Sequence, residues 1–395
     1  MAAILDRVTQ KLQDHARLGR EDALELFETR DVVRLGRLAD QVKRERWNDR
    51  AHFVINRQIN PSNICVLSCR FCDFATKRGR PNAYEMTIRE VVERCSAELR
   101  EVHIVGGLHP DWTWEHYLEM FRAITAAYPQ IQIKAWTAVE IDYFSKKFRL
   151  SVEEVLRQLQ AVGLAALPGG GAEVFSERVR KALFPFKIGA PRWLEIHRIA
   201  HRMGIPTNST LLYGHMETHE ERVDHMLKLR ELQDETSGFM SFIPLAYQPG
   251  KTQVVSRQAS ALEDLKTIAI ARLLLDNVPH IKAYWVTMGE EIASVALHFG
   301  ADDMDGTIGE ERIMHAADAA SPVSLTRGRL VELIREAGCT PVERDALYRT
   351  IDISDPSTRP KPGEVHSGDS LRIVPSPSTH SVRSGSRAQS RDEAP

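Results

Sequence analysis

The chain is short of cysteine, of net charge and of long apolar runs, and each shortage excludes a class of protein. Five cysteines in 395 residues, three of them clustered, do not form the disulfide framework of a small secreted domain. The formal net charge is −2, with Lys and Arg scattered through helical segments, so no basic footprint for nucleic acid is present. No apolar run reaches the ~20 residues of a membrane span. Residues 1–20 carry Asp6 and Asp14 and lack an apolar core and a cleavage site, which argues against a secretion signal. These absences predict a cytoplasmic protein in a reducing setting, with no nucleic-acid partner and no membrane span. Hydrophobic residues at 43% and charged residues at 27% suit a globular chain, long enough for one large barrel or two ordinary domains.

The clustered cysteines, Cys65, Cys69 and Cys72, are spaced C-x3-C-x2-C. A compact loop with that spacing can place three thiolates on three corners of a cubane iron–sulfur cluster, for which Cys is the usual ligand. Cys95 and Cys339 are distant and alone and read as core thiols. One iron is then left open to a small molecule. The competing reading is structural zinc, which calls for four closed ligands, with a second C-x2-C knuckle or matching histidines. No His falls between Cys65 and Cys72, and the nearest downstream is His103.

Residues 1–48 repeat Ile4, Val8, Leu12 and Leu18 at helical spacing and predict an N-terminal helical cap. A strand over 53–59 ends at Asn60-Pro61, so the cysteine loop follows a strand directly. Short apolar runs then alternate with amphipathic ones: strands at 102–105, 131–136, 164–167, 207–213, 239–246 and 280–286, with helices between. This alternation predicts a parallel sheet with helices outside. The expected fold is α/β, a (β/α) barrel or partial TIM barrel over 49–290. A C-terminal extension of helix and strand over 291–352 packs on it, and a Pro/Ser-rich disordered tail over 353–395 follows.

In such a barrel, loops at strand C-terminal ends carry the chemistry. Gly106 and Gly107 follow the second strand, where glycines either let the backbone approach a ligand or make a tight turn. Glu140, after the third, is either a paired structural acid or a contact to ribose or substrate, and a catalytic candidate. Gly169, Gly170 and Gly171 form a loop whose N–H groups can hold a carboxylate or phosphate, though no Lys-Ser/Thr follows to make a P-loop. Asn208 and Thr210 put small polar groups on the fifth strand, suited to sugar or carboxylate recognition. His215, just beyond it, is an acid–base candidate or a structural histidine.

The cysteine spacing, with Phe71 before the last cysteine, resembles the radical S-adenosylmethionine (SAM) superfamily. The resemblance implies a [4Fe-4S] cluster on Cys65, Cys69 and Cys72, SAM on the open iron, and Gly106–Gly107 as the seat of SAM's amino group. His103 to Pro110, Lys134 to Ile141, Leu167 to Glu173, Tyr213-Gly214-His215 and Leu232 to Thr236 further resemble the aminofutalosine (aminodeoxyfutalosine) synthase family, over roughly 51–348. That implies a transferase of the futalosine route to menaquinone. It would join SAM's adenosyl group to 3-[(1-carboxyvinyl)oxy]benzoate, giving 6-amino-6-deoxyfutalosine with release of methionine and bicarbonate or CO2. The implied partners are this acidic small molecule, which Arg70 and Lys134 are candidates to hold, and an electron donor of flavodoxin or ferredoxin type. The related dehypoxanthine futalosine cyclase is the alternative, but Ala135 to Val139 and Ile243 to Tyr247 resemble the synthase more. One departure is Ser237, where the family pattern suggests glycine. Two readings of another class remain, an iron–sulfur scaffold without catalysis and a zinc-stabilised hydrolase.

Overall fold

The computed structural model describes residues 2–351; the tail expected over 353–395 lies outside them. The cap consists of helices Ala2–Gln13, Arg20–Glu28 and Val32–Trp47, burying Ile4, Val8, Leu26 and Leu35. Ten strands follow among the described residues: β1 (Arg50–Val54), β2 (Asn56–Ile59), β3 (Glu101–Ile104), β4 (Gln132–Ala135), β5 (Leu164–Ala166), β6 (Thr207–Tyr213), β7 (Phe239–Ala246), β8 (His280–Ile281), β9 (Asp303–Gly306) and β10 (Thr340–Arg344). Every ladder between them is parallel. They form three sheets, ordered β10-β1-β9, β2-β3-β4-β5 and β6-β7-β8. Single parallel bridges, Leu167 to Thr207 and Lys282 to Asp303, carry the curve across two seams. The result is a partial TIM barrel.

The crossover helices begin where the sequence supplies a capping oxygen. Thr113, Ser151, Ser176, Thr218 and Ser260 each accept the backbone N–H three residues on. Each such cap stabilises its helix by about 1 kcal/mol. Helix Ala261–Leu274, between β7 and β8, packs against the cap helix 32–47 and ties the cap to the barrel.

Three differences from the sequence reading have clear causes. The first strand breaks at Ile55, so that β1 pairs with β9 and β10 while β2 pairs with β3. The run 280–286 is a two-residue strand followed by one helical turn, Trp285–Met288. β9 joins the barrel beyond residue 290, where its sequence, Asp-Met-Asp-Gly, resembles a turn. Its acids are buried because they are paired, Asp303 with Arg344 at 2.6 Å and Asp305 with Lys282 at 3.0 Å. Together with Lys134–Glu101 at 2.7 Å, these pairs make a charged floor inside the barrel.

Candidate active site

At the C-terminal rim, the loops after β2 to β9 enclose a cavity of about 290 Å³. Cys65, Cys69, Cys72 and Phe71 form one wall. Their loop is held by backbone bonds from Cys65 N to Thr76 O (2.9 Å) and Val66 N to Leu108 O (3.0 Å). The Lys77 ammonium clamps it further, donating to the carbonyls of Cys65, Val66 and Leu67 at 2.7–2.9 Å. The thiols are unbridged and half-buried. Burial pushes Cys69 up to about 11 and raises Cys72 as well, against the pull of the Lys187 ammonium. A metal centre binding there must therefore displace protons.

A single zinc would draw its sulfurs to about 3.8 Å of one another. Among the described residues, the one His/Cys/Asp/Glu group with ligand atoms all within 4.8 Å is His52, His280 and Asp302, without the three cysteines. The three thiols are therefore not gathered as closely as a single zinc would hold them. That other group sits at the N-terminal ends of β8 and β9 against the middle of β1, where Asp302 is already held by Arg272 and His280.

The glycines after β3 are required by close approach. A Cβ on Gly107 would lie 2.3 Å from the Ile64 carbonyl oxygen, and one on Gly106 would lie 2.8 Å from that of Ser62. Both line the cavity beside the cysteine wall. Glu140 lines it too, from the first turn of helix Ala138–Phe148 rather than a strand end. Its carboxylate accepts Gly106 N at 3.0 Å and Thr137 N at 2.6 Å, and burial pushes its pKa up to about 7. It thus ties the glycine turn to the helix start.

Gly170, Gly171, Asn208 and Thr210 also reach the cavity. Gly169 does not: its φ of +81° and its packing on Asn208, whose carbonyl oxygen would lie 2.0 Å from a Cβ, make it a turn residue. His215 is likewise not brought to the cavity. Its Nε2 faces Leu212 O at 3.0 Å and its Nδ1 accepts Met216 N at 2.8 Å. Arg70 is exposed and reaches the Ala182 carbonyl, away from the cavity. Lys134 does line it, from the floor.

Sequence reasoning missed Lys187 as a site residue. It lies in the connection Phe184 to Gly189, yet its buried ammonium pairs with Glu173 in the cavity wall and stands 5.1 Å from the Phe71 ring. Burial alone would lower its pKa, but Glu173 and the neighbouring thiols raise it. No local pattern marks it, because its partner comes from the glycine loop.

A partial barrel whose rim carries three convergent thiols beside a glycine cradle is the architecture of a radical SAM enzyme. The Radical SAM superfamily profile matches residues 59–229, and the CofH/MqnC C-terminal region profile matches 236–357. The aminodeoxyfutalosine synthase of Thermus thermophilus is 47% identical over 88% of this chain and 96% of its own length. That of Streptomyces coelicolor is 43% identical over 91% and 98%. The cyclic dehypoxanthine futalosine synthase of Streptomyces coelicolor is 37% identical over 95% and 96%. Among solved structures, methylornithine synthase superposes with a TM-score of 0.68 at 17% identity, covering 85% of this chain and 97% of that one, which supports the fold. The chain belongs to the radical SAM superfamily and, within it, to the aminodeoxyfutalosine synthase family. The cofactors of that superfamily are a [4Fe-4S] cluster and SAM.

Proposed function

We propose that the chain is a transferase that joins the adenosyl group of SAM to 3-[(1-carboxyvinyl)oxy]benzoate. The products are 6-amino-6-deoxyfutalosine, methionine and CO2 (bicarbonate once a water is added), a step towards menaquinone. Cys65, Cys69 and Cys72 would hold the cluster, with SAM beside Gly106, Gly107 and the Lys187–Glu173 pair. When bound and reduced, the cluster supplies the electron that splits SAM into methionine and a reactive adenosyl fragment. The protein's own part is position and exclusion of water. Leu67, Val105, Leu108, Val139, Leu212 and Ile243 line the cavity with apolar surface, so a reactive centre formed there meets its target before solvent. Glu140, spent on two backbone N–H groups, fixes the Gly106 turn instead of acting on substrate.

The observation that carries this reading is the convergence of three thiols and a glycine cradle on one apolar cavity, in a chain so similar to aminodeoxyfutalosine synthases. An electron donor of flavodoxin or ferredoxin type and a cytoplasmic location suit a low-potential cluster. Among the described residues, no helix is long and apolar enough to cross a membrane. The test is an anaerobic reaction of reconstituted enzyme, strong reductant, SAM and the carboxyvinyloxy-benzoate, followed by mass spectrometry. An adenine-bearing adduct with free methionine supports the reading. Free 5′-deoxyadenosine without an adduct rejects the substrate, and intact SAM rejects the reaction class.

A further inference from the structure

The floor of the cavity carries donors that the fold itself does not use. Gln58, His103 and Lys134 stand side by side on β2, β3 and β4, because Gln58 is the register partner of His103 and His103 that of Lys134. All three side chains line the cavity. Gln58 is engaged, its amide donating to Glu311 at 3.2 Å. Lys134, 2% exposed, meets only Glu101 at 2.7 Å among the described residues, which leaves two of its three N–H donors unspent. The His103 ring has no hydrogen-bond partner among the described residues.

Unspent donors this deep are unusual, since buried polar groups are nearly always paired. The neighbouring floor is largely engaged, and among its acids only the buried Glu101 Oε2 lacks a partner among the described residues. Asp305 is taken by Lys282, Asp303 by Arg344, and Glu101 Oε1 by both Lys134 and the Asn56 amide at 3.1 Å. Each acid is matched by one base, so the floor is electrically balanced, and the unspent Lys134 and His103 donors can take an acceptor from a ligand. Burial, with the Lys134 charge, lowers the His103 pKa to about 4. The ring is neutral at pH 7 and offers one N–H without adding charge. The groups facing it, Lys134, Glu101, Asp305 and Lys282, are the same balanced set.

The geometry points to Lys134 and His103 as a carboxylate subsite that holds the ring carboxylate of the aromatic substrate. This rests on the substrate proposed above. The position fits that molecule in a particular orientation. The glycine cradle, where the adenosyl donor would sit, begins at Gly106, three residues beyond His103 along the β3 direction. That is a rise of about 10 Å, comparable to the span of a meta-substituted benzoate with its ether arm. With the ring carboxylate on the floor, the vinyl group points up to the rim. The Lys134–His103 pair then sets both selectivity for a dicarboxylate and the register of the reacting carbon.

The test compares two acids on the reconstituted, unreduced holoenzyme with SAM, where no turnover occurs. One is 3-[(1-carboxyvinyl)oxy]benzoate, and the other is 2-phenoxyprop-2-enoate, which lacks the ring carboxylate. Binding is measured by calorimetry. The unsubstituted enzyme should prefer the dicarboxylate by ~30-fold, the worth of a charge-assisted buried contact. His103→Phe and Lys134→Met should each cut that preference at least ~fivefold, while affinity for the monoacid stays within about twofold. Because Lys134→Met leaves Glu101 unpaired, the double variant Glu101→Gln/Lys134→Met gives the same readout without a stranded charge. A preference that survives in both His103→Phe and the double variant overturns the subsite. Equal binding of the two acids by the unsubstituted enzyme also overturns it, although the proposed reaction still stands. Binding of neither acid removes the substrate reading, and the subsite with it.

Discussion

The two ends of the barrel use similar side chains to opposite effect. At the N-terminal end, His52, His280, Asp302 and Arg272 are fully engaged. Asp302 takes Arg272 and His280, and the His280 ring is sandwiched between Trp47 and Tyr348 at 4.4 and 3.8 Å. On the other side of the barrel, three thiols at the C-terminal rim and the Lys134 ammonium and His103 ring on the cavity floor keep donor or ligand capacity unspent. A saturated cluster holds strands together, whereas an unsaturated one waits for a ligand. This is the division of labour expected of barrels, with chemistry in the loops beyond the strand ends.

Substitutions should separate the two ends, and the largest effect is at the rim. Cys65→Ala, Cys69→Ala and Cys72→Ala each remove a proposed cluster ligand, so iron content, brown colour and turnover should all be lost. Full activity in any of the three would contradict the assignment. The fold should survive, because these half-buried thiols make no structural bridge.

Asp302→Ala attacks the other end. It leaves the Arg272 charge buried and strips His280 of its partner, at a cost of about 3–5 kcal/mol. Denaturant melts should show that loss, while activity per folded molecule stays unchanged. Reduced activity with normal stability would mean that the saturated cluster has a role in the site.

Glu140 lies between these extremes, a rim residue whose bonds are structural. Its pKa is about 7 in the fold against 4.5 for a free carboxyl, through burial. The folded state therefore binds more protons than the unfolded chain between those values. The associated stability is full below about pH 4.5 and lost as pH rises through 7. Glu140→Gln, which does not titrate, should melt with a flatter pH dependence, gaining on the parent as pH rises from 5 to 8. Parallel pH profiles for the two proteins would refute the shifted carboxyl.

The smallest effect lies on the surface, away from both ends. Ser237 closes helix His219–Thr236 in a left-handed conformation, φ 53° and ψ 21°, which glycine adopts without strain. Ser237→Gly should stabilise the protein by about 0.5–1 kcal/mol, visible as a small rise in melting temperature with unchanged kinetics.

Much of the site was legible because its signal is local. Three cysteines in eight residues, a strand just before them and glycines after the next strand can be read without knowing any distant contact. The same holds for the strand–helix alternation. His215, Arg70 and Lys187 were not legible in this way. His215 turns back onto its own loop, Arg70 faces outwards, and Lys187 enters the cavity because Glu173 attracts it there. β9 escaped notice for the same reason, since two aspartates look like a turn until Arg344 and Lys282 neutralise them.

By itself, then, the sequence determined the class of fold, the position of the cysteine loop and the kind of centre that loop can bind. Spacing along the chain sets those, through hydrogen bonds and ligand reach that span only a few residues. The tertiary structure decided which side chains share the cavity and which of their donors remain free. A buried charge goes wherever its partner lies, and here the partners are brought together by the register of neighbouring strands.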